Sequence, residues 1–286
     1  MTKGVVFLIT GNSYNVRAAV AICSLRRVYS GPITLLYSDS VDPGYIKMML
    51  DYGCLDVEKV ESGGGKGGTQ LSKSRVNTMS PYDVTVFLDA DILVLRPFVE
   101  EMWAHAEEHR GFACTQMHTW SVNEGPPAKR LKAWLASGVG FDHLVKQAQA
   151  TDLPSVNTGV FAFTKDAAIF GDWYAVSKAG FDKKNFISEE TAANLLIAKD
   201  QVMPADYNAA CKFHEDREFK TARVIHFMGL KHVRINASRG SSHFWCAFFE
   251  SMRKHDPRFV EIVGRFSQKR ERIYLKDGIK GEGYNE

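Results

Sequence analysis

The sequence predicts an α/β fold with a mixed, mostly parallel central sheet. Short apolar runs bounded by turn residues are typical of buried strands, and here they alternate with stretches of helical spacing. That alternation indicates βαβ units, whose strands lie parallel to each other. The chain has 286 residues, 45% of them hydrophobic, which is enough to form one large core.

The elements follow each other regularly in the first part of the chain. GVVFLIT predicts a strand, and NSYNVRAAVAICSLRRVYS predicts a helix with Val16, Val20 and Cys23 on one face. GPITLLYSD and DPGYIKMMLDYG repeat this pair of elements, and a stretch that is first glycine-rich and then helical leads to a strand at 84–88. Later segments with a clear pattern are the strands VNTGVFAF and ARVIHFMGLKH and the helix EETAANLLIAK.

Two regions differ in texture from these regular elements. Residues 118–155 are rich in Gly and Pro and less periodic, which indicates an insertion or a lid. The segment that follows residue 240 mixes aromatic and basic residues, at helical spacing in its first part. We therefore expect a main domain over residues 1–240 and a helical, basic C-terminal extension over residues 241–286.

Composition argues against several classes of protein. The net charge is +3, from 36 basic and 33 acidic residues, which is far below the basic excess of an obligate nucleic-acid binder. The five cysteines form no CxxC pair, so we expect reduced thiols, no structural zinc and a cytoplasmic location. The apolar run near the N-terminus is too short for a signal peptide, and no segment is long enough to cross a bilayer.

The first chemical signal is VFLDADILVL, residues 86–95, in which Asp89 and Asp91 interrupt an apolar run. A carboxylate in such surroundings is costly unless a partner compensates its charge. Ligands of parallel sheets bind beyond the carboxyl ends of the strands, which is where both aspartates lie. Residues i and i+2 of extended backbone face the same side, so the pair can offer oxygen ligands to Mg²⁺ or Mn²⁺. The alternative is that each aspartate only caps a turn or a helix.

One histidine and two lysines are further candidates. His226 ends an apolar strand, and an imidazole beside two carboxylates favours Mn²⁺ over Mg²⁺; a hydrogen-bonded structural histidine is the alternative. Gly229 would let the backbone approach a ligand closely, and Lys231 would offer a charge to a diphosphate. Lys73 follows GGGKGGT, which lacks the Gly-Lys-Ser/Thr of a Walker A loop, and a solvated surface lysine is its alternative interpretation.

Taken in order, these stretches resemble the family 8 retaining glycosyltransferases, the group of glycogenin and the lipopolysaccharide galactosyltransferases. FLDADILVL is very similar to the metal motif of the family, VNTGVFAF to its Asn-Ser-Gly-Val-Phe segment, and VIHFMGLKH to its His-x-x-Gly-x-x-Lys segment. LITGNSYNVRAAVAICSL, LSK and PADYN resemble its first strand and helix, its nucleotide-contacting lysine and a strand entry. The resemblance implies a single GT-A type, Rossmann-like domain that binds a nucleotide sugar.

The resemblance also implies roles for individual residues. Asp89, Asp91 and His226 would hold Mn²⁺, or else Mg²⁺, against the diphosphate of an NDP-sugar, most simply a UDP-sugar. Sugar transfer to a hydroxyl acceptor would proceed with retention of configuration. Contacts with the nucleotide sugar are implied for Thr10, Asn12, Tyr14, Lys73, Asp89, Ala90, Thr158, Gly229, Lys231 and His232. Packing at a helix start is the alternative for Tyr14.

Three departures from the family pattern bear on specificity. Glu189 and Glu190 stand where the family has Asp-Gln, which leaves the sugar open. Glu190, Glu189 and Asn157 are the catalytic candidates: Asn157 would lie beside the sugar and Glu190 would stabilise an oxocarbenium-like centre, although a carboxylate at a helix start also interacts with the helix dipole. Lys231 lies one position nearer to His226 than in the family, so that either Lys231 or His232 fits the phosphate role. Residues 118–155 exceed the glycogenin length, which predicts a different acceptor; a saccharide, glycan, lipid-linked or protein acceptor stays open.

Other classes of protein fit less well. A haloacid-dehalogenase phosphatase also has a DxD after a strand, but the later Asp-Asp or GDxxxD that it needs is missing from the sequence. A sugar nucleotidyltransferase needs a Gly-x-Gly-Thr-Arg loop, which TGNSYNVRA does not provide. A non-catalytic or hydrolytic nucleotide-sugar-binding protein of the same fold remains an alternative.

The C-terminal segment HFWCAFFESMRKHDPRF places Phe244, Phe248 and Met252 at helical spacing, and basic residues follow. One prediction is an amphipathic helix that packs on the main domain. The other is a patch that contacts an anionic membrane surface and brings the protein to a lipid-linked acceptor.

Overall fold

The computed structural model describes residues 1–53, 55–61, 68–183, 188–210, 221–227 and 240–266. The strands are β1 (Lys3–Ile9), β2 (Ile33–Tyr37), β3 (Asp56–Lys59), β4 (Val84–Leu88), β5 (Ile92–Val94), β6 (Phe112–Ser121), β7 (Pro154–Thr164), β8 (Val202–Met203), β9 (Ala209–Ala210) and β10 (Val224–His226). The α-helices are α1 (Asn15–Arg26), α2 (Pro43–Gly53), α3 (Gly68–Lys73), α4 (Val76–Met79), α5 (Val99–Glu108), α6 (Gly125–Ala136), α7 (Asp142–Ala150), α8 (Ile169–Asp182), α9 (Ser188–Leu196), α10 (Gly240–His255) and α11 (Pro257–Phe266). Short 3-10 turns occupy Asn12–Tyr14, Lys199–Gln201 and Ala205–Asn208.

Seven of these strands form one sheet in the order β3-β2-β1-β4-β7-β6-β8. The first four are parallel to each other, β7 is antiparallel to both of its neighbours, and β6 and β8 are again parallel. The sequence prediction of a mixed, mostly parallel sheet is therefore confirmed. Because β7 runs the opposite way, its first residues reach the edge of the sheet where β4 and β6 end.

Both faces of this sheet are buried, which explains why the strands are continuous apolar runs. In β1, Val5, Phe7 and Ile9 belong to the core on one face, while Val6 and Leu8 belong to the core on the other. The first core lies under α1, α2, α5, α10 and α11. The second core lies under α6 to α9. It contains aromatic rings that stack or meet edge-on, namely those of Phe87, Phe112, Phe161, Phe163, Phe170 and Trp173.

A small second sheet, in the order β5-β10-β9, lies beside the end of β4. β5 and β10 are antiparallel, with Ile92 opposite His226 and Val94 opposite Val224. The apolar run at 86–95 is therefore two strands in two sheets rather than one long strand, and Asp89 and Asp91 lie in the connection between them. Since β10 ends at His226, this small sheet brings the histidine to the same place.

The C-terminal helices pack on the first core. Phe248, Phe249, Phe259 and Phe266 are buried there, and the ring of Phe266 meets that of Tyr45 edge-on at 5.4 Å. The described side chains of the apolar stripe therefore pack on the main domain. This agrees with the prediction of an amphipathic helix that packs there. No helix in the described ranges has both the length and the apolar character that are needed to cross a membrane.

Candidate active site

The connection between β4 and β5 is a turn rather than the extended backbone on which we based the pairing of its aspartates. The turn is held from two sides. The amide of Asp89 donates to the carbonyl of Gly159 in β7 (2.8 Å), and the amide of Phe227, just after β10, donates to the carbonyl of Asp91 (2.9 Å). Its carboxylates therefore lie where the two sheets meet, beyond the carboxyl end of β4.

Asp89, Asp91 and His226 form a cluster whose ligand atoms all lie within 4.8 Å of one another. The Nε2 atom of His226 is 3.2 Å from Oδ1 of Asp91 and 3.8 Å from Oδ2 of Asp89. Among the residues that the structure describes, no other group of three such side chains comes as close together. The three sequence-predicted metal ligands thus converge on one point.

Gly159 makes room for the histidine of this cluster. A Cβ atom on Gly159 would lie 2.2 Å from Cε1 and 2.5 Å from Nδ1 of His226, which no real side chain tolerates. The ring therefore packs directly on the backbone of β7. The requirement at this position is close approach, because the glycine needs no unusual backbone angle.

Lys73, at the end of α3, brings a cation to the site. Its Nζ atom lies 2.8 Å and 3.0 Å from the two carboxylate oxygens of Asp89, donates to the carbonyl of Thr158 (3.2 Å), and is 3.9 Å from Oε1 of Glu189. The side chain is only 11% exposed, so the alternative of a solvated surface lysine is excluded. Burial lowers the pKa of Lys73, but Asp89 and Glu189 outweigh it and raise this pKa above its usual value, so the amine stays charged.

Glu189 is buried at the start of α9 and faces this lysine. The hydroxyl of Thr158 donates to its Oε1 atom, and the indole of Trp173 donates to its backbone carbonyl (2.9 Å). Burial raises the pKa of the Glu189 carboxyl, Lys73 and the Thr158 hydroxyl oppose that shift, and Asp89 adds to it. In the described part of the chain, the carboxyl groups of Asp89, Asp91 and Glu189 thus lie around Lys73 and His226, which is an arrangement that attracts a further cation.

A bulge in β7 presents the residues of VNTG to the site. Cys114 of β6 pairs with Phe161, but the next residue, Thr115, pairs with Asn157, so that residues 158–160 are extra in β7. The Thr115 hydroxyl spans the bulge, since it lies within hydrogen-bond distance of the carbonyls of Asn157 (3.3 Å) and Val160 (3.0 Å). Bulges of this kind re-aim side chains at functional sites.

Glu190 points away from Glu189 and has both of its oxygens engaged. Its Oε1 atom accepts from the guanidinium of Arg130, and its Oε2 atom accepts from the amide of Asn157 (2.6 Å). Asn194, one turn later in α9, donates to the backbone carbonyl of Glu190 (2.8 Å) and exchanges two hydrogen bonds with the backbone of Val156. The start of α9 is in this way tied to the start of β7.

The turn between β1 and α1 lies at the same edge of the sheet as the cluster, because β1 and β4 are parallel neighbours. Oδ1 of Asn12 accepts from the amide of Asp42 (2.7 Å), and the carbonyl of Thr10 accepts from the Ser40 hydroxyl (2.9 Å), so both residues join this turn to the loop after β2. Burial of its hydroxyl, Asp91 and Asp89 raise the pKa of Tyr14. The charge of the acidic cluster therefore reaches Tyr14, and a contact of this residue with the nucleotide stays a prediction.

Most of the sequence-predicted site residues come together, as far as the structure describes them. Ala90 is buried between the two aspartates. Gly229, Lys231 and His232 lie outside the described residues. Arg130 was not predicted as a site residue, because its neighbours Lys129 and Lys132 suggest an ordinary charged helix surface.

Asn208 was also missed as a site residue. It is fully buried, and its Nδ2 atom donates to Oδ1 of Asn157 (3.0 Å). It belongs to PADYN, a stretch that the sequence analysis singled out without assigning a role to this residue.

The fold is similar to that of several solved glycosyltransferases. The galactosyltransferase LgtC in complex with donor and acceptor sugar analogues has a TM-score of 0.60 and 13% identity, over 93% of this chain and 96% of that one. Mouse xyloside xylosyltransferase 1 has a TM-score of 0.53 and 12% identity, over 80% of this chain and 98% of that one. The glycosyltransferase GlyE of Streptococcus pneumoniae TIGR4 has a TM-score of 0.56 and 13% identity, over 100% of this chain and 66% of that one. At such identities the likeness establishes the GT-A type fold.

Comparison by sequence gives no match. No protein-family model matches the chain, and no curated protein matches it.

Proposed function

We propose that this protein is a metal-dependent glycosyltransferase that moves a sugar from an NDP-sugar, most simply a UDP-sugar, to a hydroxyl group of an acceptor, with retention of configuration. The observation that carries this proposal is the convergence of Asp89, Asp91 and His226 beside Lys73, beyond the carboxyl end of β4. The fold shared with solved glycosyltransferases supports it, because ligands of such sheets bind at this edge.

The residues of the cluster fit a divalent cation. Two carboxylates and one imidazole are suitable ligands for Mn²⁺ and, with less preference, for Mg²⁺. The carboxylates of Asp89 and Asp91, with Glu189 nearby, provide the negative charge that such an ion requires. When bound, the ion would neutralise charge on the leaving nucleoside diphosphate.

The protein's own residues would orient the donor around this point. Lys73 remains charged and would offer fixed positive charge to the diphosphate as the bond to the sugar breaks. Thr10, Asn12 and Tyr14 would border the nucleotide from the turn after β1. Asn157 and Thr158, presented by the bulge in β7, would border the sugar.

Glu189 and Glu190 would have different roles beside the sugar. Glu189 lies next to Lys73 and to Thr158, which would border the sugar, and we assign to Glu189 the stabilisation of positive charge that develops on the reacting carbon. Glu190, which the sequence suggested for this role, has both oxygens held by Arg130 and Asn157. We assign a positioning role to it.

Release of nucleoside diphosphate from a panel of NDP-sugars tests the proposal. We expect release with at least one donor in Mn²⁺, weaker release in Mg²⁺, and none in excess chelator. Addition of candidate saccharides, glycans, lipid-linked sugars or proteins should increase the rate when one is the acceptor. Binding of nucleotide sugars without any turnover would favour the non-catalytic alternative, and full activity in chelator would contradict the assigned metal cluster.

A further inference from the structure

We propose that Arg130, on helix α6, is a positioning residue of the donor-sugar site, and that it acts through Glu190 and Asn157 on the metal cluster. The proposal rests on the function proposed above. It gives a role in the donor-sugar site to the segment at 118–155, for which the sequence predicted an insertion or a lid. It also identifies a residue that no motif contains.

The first step is the ion pair between Arg130 and Glu190. The Arg130 guanidinium donates to Oε1 of Glu190, and the two side chains are 21% and 7% exposed. Glu190 is too deeply buried to remain a carboxylate without a partner, since an unpaired buried charge is strongly unfavourable. Within the described part of the chain, Arg130 is the cation that pairs with it.

The second step leads from Glu190 to the bulge in β7. The orientation of the Asn157 amide group is fixed, because its Nδ2 atom donates to Oε2 of Glu190 (2.6 Å). Its Oδ1 atom accepts from the amide of Gly159 (2.9 Å) and from Nδ2 of Asn208 (3.0 Å). The ion pair therefore fixes which face of Asn157 is turned towards the bulge.

The third step leads from the bulge to the metal ligands. The carbonyl of Gly159 accepts from the amide of Asp89 (2.8 Å). The ring of His226 packs against the backbone of the same glycine. A displacement at Arg130 would thus reach two of the three cluster residues through a short series of hydrogen bonds and one tight contact, and an error of about 1 Å at such a site costs roughly 100-fold in rate.

The opposite charges make the role testable by a double substitution. In R130M the Glu190 carboxylate loses its cation, and in E190Q the amide group of the glutamine faces the guanidinium. In the double variant R130M/E190Q, a neutral amide can still accept from Asn157 beside an apolar neighbour. The exposed pair of Arg110 and Asp200, joined at 2.5 Å at another place on the surface, is a matched control.

The experiment measures NDP-sugar turnover, donor binding by calorimetry and thermal unfolding for the wild type, both single variants, the double variant, and R110M/D200N. We expect each single variant to lose at least ~10-fold in kcat, with a smaller change in KM, and the double variant to recover most of it. R130K should retain more activity than R130M, and R110M/D200N should match the wild type.

Two outcomes would overturn the proposal. One is a double variant whose loss is the product of the two single losses, because then no coupling exists. The other is strong coupling in thermal unfolding with unchanged kcat and donor binding in every folded variant, because then the pair is only structural. If the wild type itself turns over no nucleotide sugar, the proposed function fails, and that result is visible separately from any result on Arg130.

Discussion

The protein compensates the charge of the carboxylates near the end of β4 only in part, whereas it compensates that of Glu190, near the start of α9, fully. In the cluster of Asp89, Asp91 and His226, the carboxylates keep part of their surface exposed, and among the described residues Lys73 is the permanent cation that pairs with Asp89. Glu190 is almost fully buried, yet its oxygens are occupied by Arg130 and Asn157. Both regions lie at the same edge of the sheet, and in both the structure buries charged side chains at least in part.

The degree to which the protein compensates a carboxylate's charge distinguishes one that would bind a cation from one that would position its neighbours. A carboxylate whose charge is compensated by the protein contributes to the geometry of its neighbours, and its removal leaves a cation without a partner. A group of carboxylates that the protein compensates only in part is prepared for a cation from solution. Four predictions test whether the two regions really differ in this way.

The largest effect is expected from Asp91→Asn. The side chain serves the cluster and adds negative charge there, so we expect at least ~100-fold loss of NDP-sugar turnover with an intact fold. Addition of Mn²⁺ should raise the melting temperature of the wild type and not that of the variant. Asp200→Asn, a change at an exposed aspartate, is the control. A variant that unfolds, together with a wild type that Mn²⁺ does not stabilise, would mean that Asp91 is structural.

Lys73→Met should separate the two roles of the lysine. Loss of a charged hydrogen-bond donor should weaken nucleotide binding by roughly 10-fold to 100-fold. Because Lys73 occupies both oxygens of Asp89, its removal should also strengthen the binding of Mn²⁺ to the nucleotide-free protein. Calorimetry with each ligand alone measures both effects. Lys59→Met, in an exposed ion pair with Asp39, should change neither, and equal nucleotide affinity in the Lys73 variant and the wild type would refute the assignment.

Gly159→Ala should damage the cluster without touching a charge. The new methyl group would overlap the ring of His226, so we expect a loss of about 1–3 kcal/mol in the free energy of unfolding and weaker Mn²⁺ binding. Gly171→Ala in α8 is the matched control, since a Cβ there meets nothing within 4 Å, and it should stabilise the protein by ~0.5–1 kcal/mol. Denaturant titration with and without Mn²⁺ measures both. Unchanged metal binding in Gly159→Ala would show that His226 does not belong to the cluster.

The smallest effect concerns the pH dependence of stability. Burial holds the pKa of Glu189 above the ordinary value of 4.5 that it has in the unfolded chain. For an acid with a raised pKa, ionisation favours the unfolded chain, so stability decreases as the pH rises from the unfolded pKa through the folded one. Glu189→Gln should remove this decrease. Melting temperatures between about pH 4 and pH 8 should therefore fall more steeply for the wild type, whereas Asp182→Asn, at an exposed pair, should leave the wild-type profile unchanged.

The sheet and the cluster of Asp89, Asp91 and His226 were predictable because their signals are local. Apolar runs such as Val5–Ile9 mark strands that are covered on both faces, and they need no knowledge of the partners. Asp89 and Asp91 stand out because charge in an apolar run is unusual, and His226 because it ends a strand. The prediction that both aspartates converge was confirmed although its reason was wrong, since they lie in a turn between two sheets rather than along extended backbone.

The positioning network was not predictable in the same way. Arg130 is one of several basic residues in a helix of ordinary composition, and only the fold brings it to Glu190. The bulge at 158–160 depends on the register between β6 and β7, which no local pattern in VNTGVFAF expresses. Glu189 and Glu190 are adjacent in sequence, and their divergence follows from which neighbours surround the start of α9.

The small sheet of β5, β10 and β9 has a consequence for how the chain folds. Asp91 and His226 are 135 positions apart, and they meet only when β10 adds to β5, so the cluster depends on closure of a long loop. A nascent chain that has produced the strands β1 to β7 would contain both aspartates but no complete site. Mn²⁺ should therefore bind weakly to such intermediates and tightly to the finished protein, so that metal uptake would report the last assembly step and stabilise its product by mass action.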